Sequence, residues 1–166
     1  VIASGENSTA EIELNGSTTF NSADVFTITA SGASSDADLY IANASGDVNT
    51  ISVTASSSDA TAEVNIDAGN IAINTDLNVT TSNNAALASF EASADVTLGG
   101  NVTITAGADN SEAEVTLDGS TTFNSADVFT ITASGASSDA DLYIADRKST
   151  RLNSSHSQQS RMPSSA

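Results

Sequence analysis

The sequence predicts an all-β chain, a parallel β-helix (β-solenoid) whose coils are about 25 residues long and hold roughly three short strands each. Three observations carry that expectation. They are a long internal repeat, a shorter repeat nested inside it, and a two-residue alternation of apolar and polar side chains within each short unit.

Residues 113–145 duplicate residues 10–42 at an offset of 103, with differences only at Ile12/Val115, Glu13/Thr116 and Asn15/Asp118. Such closeness points to tandem duplication. Within that span, units begin at Phe26, Ile51, Leu77, Val102 and Phe129, spaced 25, 26, 25 and 27 residues apart. Their third positions are Ile28, Val53, Val79, Ile104 and Ile131, and their fourth are Thr29, Thr54, Thr80, Thr105 and Thr132. The twelfth is always alanine (Ala37, Ala62, Ala88, Ala113, Ala140). The fourteenth runs Leu39, Val64, Phe90, Val115, Leu142, and the sixteenth Ile41, Ile66, Ala92, Leu117, Ile144. A partial first unit joins this register through Ala10, Ile12 and Leu14.

Each unit therefore holds two alternating segments, such as Phe26–Ala30 and Ala37–Ile41, and alternation with period two means strands with one buried face. A third, weaker strand is expected near the unit's end, around Ile71 and Ile73 or Val96 and Leu98. Ser, Gly, Asn and Asp fill the intervals, as turns require. Three short strands closing one coil would stack equivalent positions one strand spacing apart, about 4.8 Å. Each apolar column then becomes a strip of core, the alanines fit a cramped corner, and the threonines form a ladder of hydroxyls. A tandem of immunoglobulin-like sandwiches of about 100 residues is the competing expectation, but it gives no reason for the shorter period. Disorder is the other, and the regular apolar spacing argues against it.

The repeat is expected to occupy residues 1–145, with coils starting near 1, 26, 51, 77, 102 and 129, and to be an internal fragment of a longer array. After Ala145 the pattern stops at once. All four basic side chains (Arg147, Lys148, Arg151, Arg161), the one histidine and the one proline follow it. The string from Asp146 to His156, with Ser160 to Ala166, resembles a short-read sequencing adaptor translated in frame. Residues 146–166 are therefore set aside as a non-native, disordered tail.

The body carries 20 of the 21 acidic residues and no basic side chain. Such a surface cannot neutralise phosphates, which argues against nucleic acid and anionic lipid as partners. No apolar run approaches the roughly 18 residues of a membrane span. Without Cys, His or Lys in the body, a serine nucleophile has no ordinary base, so no catalytic residue is assigned and the chain is not expected to be an enzyme.

One polar column stands out. Unit position 13 reads Asp38, Glu63, Ser89, Glu114 and Asp141, with Glu11 in the partial unit, and position 11 adds Asp36, Glu112 and Asp139. Both positions alternate with inward ones and should face solvent. Carboxylates about 5 Å apart repel by roughly 0.8 kcal/mol in bulk water and about 3 kcal/mol at an effective dielectric of 20. A counter-ion atmosphere would absorb that, as would Ca²⁺, which prefers carboxylate oxygens. Asp36, Asp38, Glu112, Glu114, Asp139 and Asp141 are the candidate Ca²⁺ ligands, with Glu112/Glu114 and Asp139/Asp141 the best placed. No cofactor beyond Ca²⁺ is expected.

Units such as Gly69-Asn-Ile-Ala-Ile73 and Gly100-Asn-Val-Thr-Ile-Thr-Ala106 resemble repeat regions of large secreted bacterial adhesins of the filamentous-haemagglutinin and autotransporter type. The Thr, Ala, Ser and Asp richness is also similar to that of bacterial surface-layer proteins. The resemblance implies an exported, elongated protein at the bacterial cell surface. Its partners would be cell-surface or glycan ligands, or further repeats of its own kind. It supplies no site residues.

Overall fold

A computed structural model describes residues 1–123 and 128–145. The expectation that residues 146–166 form a disordered tail lies outside the described residues. Thirteen strands and no helix are found among those described: β1 (Ile2–Ala3), β2 (Thr9–Phe20), β3 (Val25–Ala30), β4 (Asp36–Ala55), β5 (Thr61–Ile66), β6 (Gly69–Thr81), β7 (Leu87–Ala92), β8 (Asp95–Leu98), β9 (Asn101–Ala106), β10 (Glu112–Leu117), β11 (Thr121–Phe123), β12 (Phe129–Ala133) and β13 (Asp139–Ile144). Every pairing is parallel, and each joins a strand to its equivalent about 25 residues away. The chain is a β-solenoid.

Three faces wind around one core. The first face stacks β1, β3, residues 50–55 of β4, residues 76–81 of β6, β9 and β12. The second stacks residues 9–14, residues 36–41, β5, β7, β10 and β13. The third, the weaker strand expected from Ile71 and Val96, stacks residues 17–20, 43–48 and 69–73 with β8 and β11. In the early coils the strands are longer than expected. β4 runs 20 residues through two faces because the corner is taken by a register shift between Val48 and Thr50, where the ladder continues without a turn.

The columns read from the sequence are columns in space. Thr29, Thr54, Thr80, Thr105 and Thr132 pair in series, as do the five alanines from Ala37 to Ala140. Ile28, Val53, Val79 and Ile104 are fully buried, and so are Leu39, Val64, Phe90 and Val115. The burial alternates residue by residue along β5 and β10, which is how a pleated strand with one wet face must look. Parallel stacking in register is favoured because each β-branched or leucine side chain lands on another of its kind, removing apolar surface from water at every step.

The corner between the first and second faces is built on a column of left-handed residues: Asn7, Ser34, Asp59, Ala85, Asn110 and Ser137, with φ between 51° and 59°. For the first five, the amide of each donates to a carbonyl of the next coil, as Ser34 N does to Ser58 O at 3.1 Å and Asp59 N to Asn84 O at 3.0 Å. The ladder thus continues through the bend. One residue earlier on the same corner, the backbones come so close that a Cβ on Gly32 would stand 1.8 Å from Gly5 O, so only glycine fits there.

Candidate functional site

The outward side of the second face gathers the chain's acidic groups. Its strands are held in one register by their buried partners, alanine at position 12 and Leu, Val or Phe at position 14, so the intervening residues must point to solvent. Glu11, Asp38, Glu63, Ser89, Glu114 and Asp141 lie in series on adjacent strands.

The six predicted residues fall into two groups. Glu112 pairs with Asp139 and Glu114 with Asp141, which places four carboxylates on two neighbouring strands. Asp36 and Asp38 belong to a separate group, flanked by Thr9 and Glu11 on one side and Thr61 and Glu63 on the other. Two coils, those of β5 and β7, separate the groups. Among the described residues no three acidic side chains converge on a point where they would hold a metal ion as they stand.

Asp38 differs from its neighbours. Its carboxyl is half-buried, and that burial, followed by repulsion from Asp36, Glu63 and Glu11, pushes its pKa up to about 6. A position further along the same strand, the Tyr40 hydroxyl donates to Asp67 Oδ2 at 2.5 Å, and that bond raises the phenol's pKa.

The break in the acidic column also shapes the surface. Where Ser89 replaces a carboxylate, a shallow groove of about 160 Å³ opens, bordered by Glu63, Glu91 and Glu114 and floored by Phe90. Sequence reasoning passed over this groove. The signal was present in Ser89, the one short side chain at position 13.

The first face carries the threonine ladder, with Thr27, Ser52, Asn78, Thr103 and Thr130 in a second outward column beside it. The ladder is in register, yet among the described residues no hydrogen bond joins successive hydroxyls of the Thr29 column. Strands about 4.8 Å apart hold equivalent oxygens too far apart for the roughly 2.8 Å of an O–H···O bond. The hydroxyls are left for water, and the column is aligned without being directly linked. Comparisons with protein-family models, with curated proteins and with solved structures return no match for this chain.

Proposed function

We propose that the chain is a structural and adhesive repeat segment of a secreted bacterial surface protein, one that supplies an elongated acidic stalk and a repeated binding face. The observation that carries this reading is the register itself. Every outward column, acidic or hydroxylic, recurs at one strand spacing along a continuous core. Such an object gains length and valency with each added coil. The resemblance of the coil sequences to adhesin repeats supports the extracellular address. Five coil steps amount to only about 25 Å, so reach demands many more copies.

A second reading, a calcium-stabilised region of a surface layer, is favoured by one arrangement. Glu112, Glu114, Asp139 and Asp141 occupy a two-by-two patch, and no basic side chain exists anywhere before position 146. Small rotations of four flexible carboxylates would bring oxygens to a shared Ca²⁺.

One set of measurements separates the two. The full chain is presented to cells and to a glycan panel, and is imaged by electron microscopy with and without millimolar Ca²⁺. Saturable binding without assembly is the result expected for the stalk, and an ordered calcium-dependent lattice would replace that reading with the second. Thermal unfolding gives an independent check on the cation. A melting temperature raised by Ca²⁺ beyond the effect of matched ionic strength supports the patch, and an equal shift in both rules it out.

A further inference from the structure

Resting on the reading of the chain as a repeat array, we propose that copies of this chain join end to end, with Asp139–Ile144 of one copy pairing in parallel with residues 9–14 of the next. The chain contains its own template for this contact. Residues 139–145 are identical to residues 36–42. Inside the fold, residues 36–41 are paired on both sides, with residues 9–14 and with Thr61–Ile66. Among the described residues, β13 is paired on one side only, with β10.

The exposure of identical side chains shows what the missing neighbour does. Leu39 is 1% exposed and its duplicate Leu142 is 50% exposed; Ile41 is 0% and Ile144 is 48%. Phe123, Phe129 and Leu142 line an open apolar groove of about 360 Å³ at this end. At the opposite end Ile2 is 77% exposed, and Ile12 and Leu14 are only partly buried.

The strand that covers residues 36–41 reads Thr61-Ala-Glu-Val-Asn-Ile66, and residues 9–14 read Thr-Ala-Glu-Ile-Glu-Leu. The first three residues are the same, and the two inward positions exchange Val for Ile and Ile for Leu. By that template Ala140 meets Ala10, Leu142 meets Ile12 and Ile144 meets Leu14. On the first face Thr132 and Ala133 meet Ile2 and Ala3, as Thr29 and Ala30 meet Thr54 and Ala55. Asp141 falls beside Glu11, a like-charge pair that the fold already accommodates where Asp38 lies between Glu11 and Glu63. The two surfaces are different, so the contact does not close on itself and builds linear assemblies. The acidic pairs make it stronger in salt.

Sedimentation velocity on the full chain, from micromolar to millimolar concentration, tests this. The expected result is a sedimentation coefficient that rises with concentration and with added salt. Leu142→Lys disables one end and Ile12→Lys the other, so each variant alone should be monomeric, whereas an equimolar mixture should form dimers and nothing larger. A wild-type chain that stays monomeric at the highest concentration while its far-UV circular dichroism is β-rich overturns the end-to-end contact and leaves the repeat-array reading standing. So do long oligomers formed by either variant alone, or a mixture of β-rich variants that remains monomeric. A wild-type chain without β signal would instead remove the array reading itself.

Discussion

At the scale of single residues, the acidic column makes the chain's stability depend on pH through Asp38. Its folded pKa of about 6 stands above the model carboxyl value of 3.8. A carboxyl with a raised folded pKa favours folding in its protonated form. The favourable contribution is complete below about pH 4 and is lost as pH rises through 6. Because the group is only half-buried, solvent screening reduces the effect to about 1 kcal/mol. The wild type should therefore melt roughly 3 °C higher at pH 5 than at pH 7, and Asp38→Asn should be stabilised at pH 7 and lose most of that slope. A slope unchanged in the variant would assign the effect to other carboxylates. Thr81 offers a second case. It stands in a column otherwise made of alanines (Ala30, Ala55, Ala106, Ala133), is fully buried, and its hydroxyl has no partner. Thr81→Val keeps the shape and removes the stranded hydroxyl, so urea unfolding should show a gain of about 1 kcal/mol. The acidic column was legible in the sequence because alternation alone decides which side a residue faces. The behaviour of Asp38 was not, since it depends on how deeply the neighbouring coils bury one carboxyl among three others.

At the scale of the element, the unit of design is the coil with its inward pair at positions 14 and 16. Four units combine Leu or Val with Ile or Leu, but β7 combines Phe90 with Ala92. Both are buried, and residues two apart on one face are neighbours, so the larger ring occupies the volume that the smaller methyl vacates. Phe90→Val alone should leave a cavity and cost about 2–4 kcal/mol in thermal or urea unfolding. Adding Ala92→Ile should recover at least 1 kcal/mol of that, and strict additivity of the two changes would mean that the volumes are not coupled. The first and second faces could be registered from sequence because their strands repeat at the same offset as the long duplication. The third face could not. Phe20 stands in register with Gly46, Ile71, Val96 and Thr121, and its sequence duplicate Phe123 has moved on two residues to pair with Leu98. The slip is even, so the inward set stays inward. It is absorbed by the shifts after Leu14 and Val48, in Ser- and Gly-rich stretches where few side chains insist on one position. The left-handed corner escaped notice for a related reason. Its column mixes Asn, Ser, Asp and Ala, with no glycine to mark the positive φ.

At the scale of the whole molecule, each coil touches only the coils above and below it, so stability is a sum of nearest-neighbour terms and not one cooperative whole. Inward side chains in the middle coils have apolar partners on both sides and are closed to water, as Ile51, Val64, Ile66, Leu77 and Phe90 are. The end coils have a partner on one side among the described residues, and Leu142 and Ile144 show the result at nearly half exposure. Opening an end coil breaks one interface, whereas opening a central coil breaks two. Local opening should therefore run inward from both ends at a lower free energy than global unfolding. Hydrogen exchange at micromolar concentration should show amides of β5, β7 and residues 76–81 as the slowest, with β1, β12 and β13 faster by at least tenfold, about 1.4 kcal/mol of opening free energy. Leu142→Ala should then barely change the slowest class. The same truncation at Val64 should accelerate amides throughout β4, β5 and β7, because a lost methyl pair in the middle weakens two interfaces at once. Equal protection in every coil would show instead that the array unfolds as a single unit, and that its ends are held by something more than the neighbour each of them has.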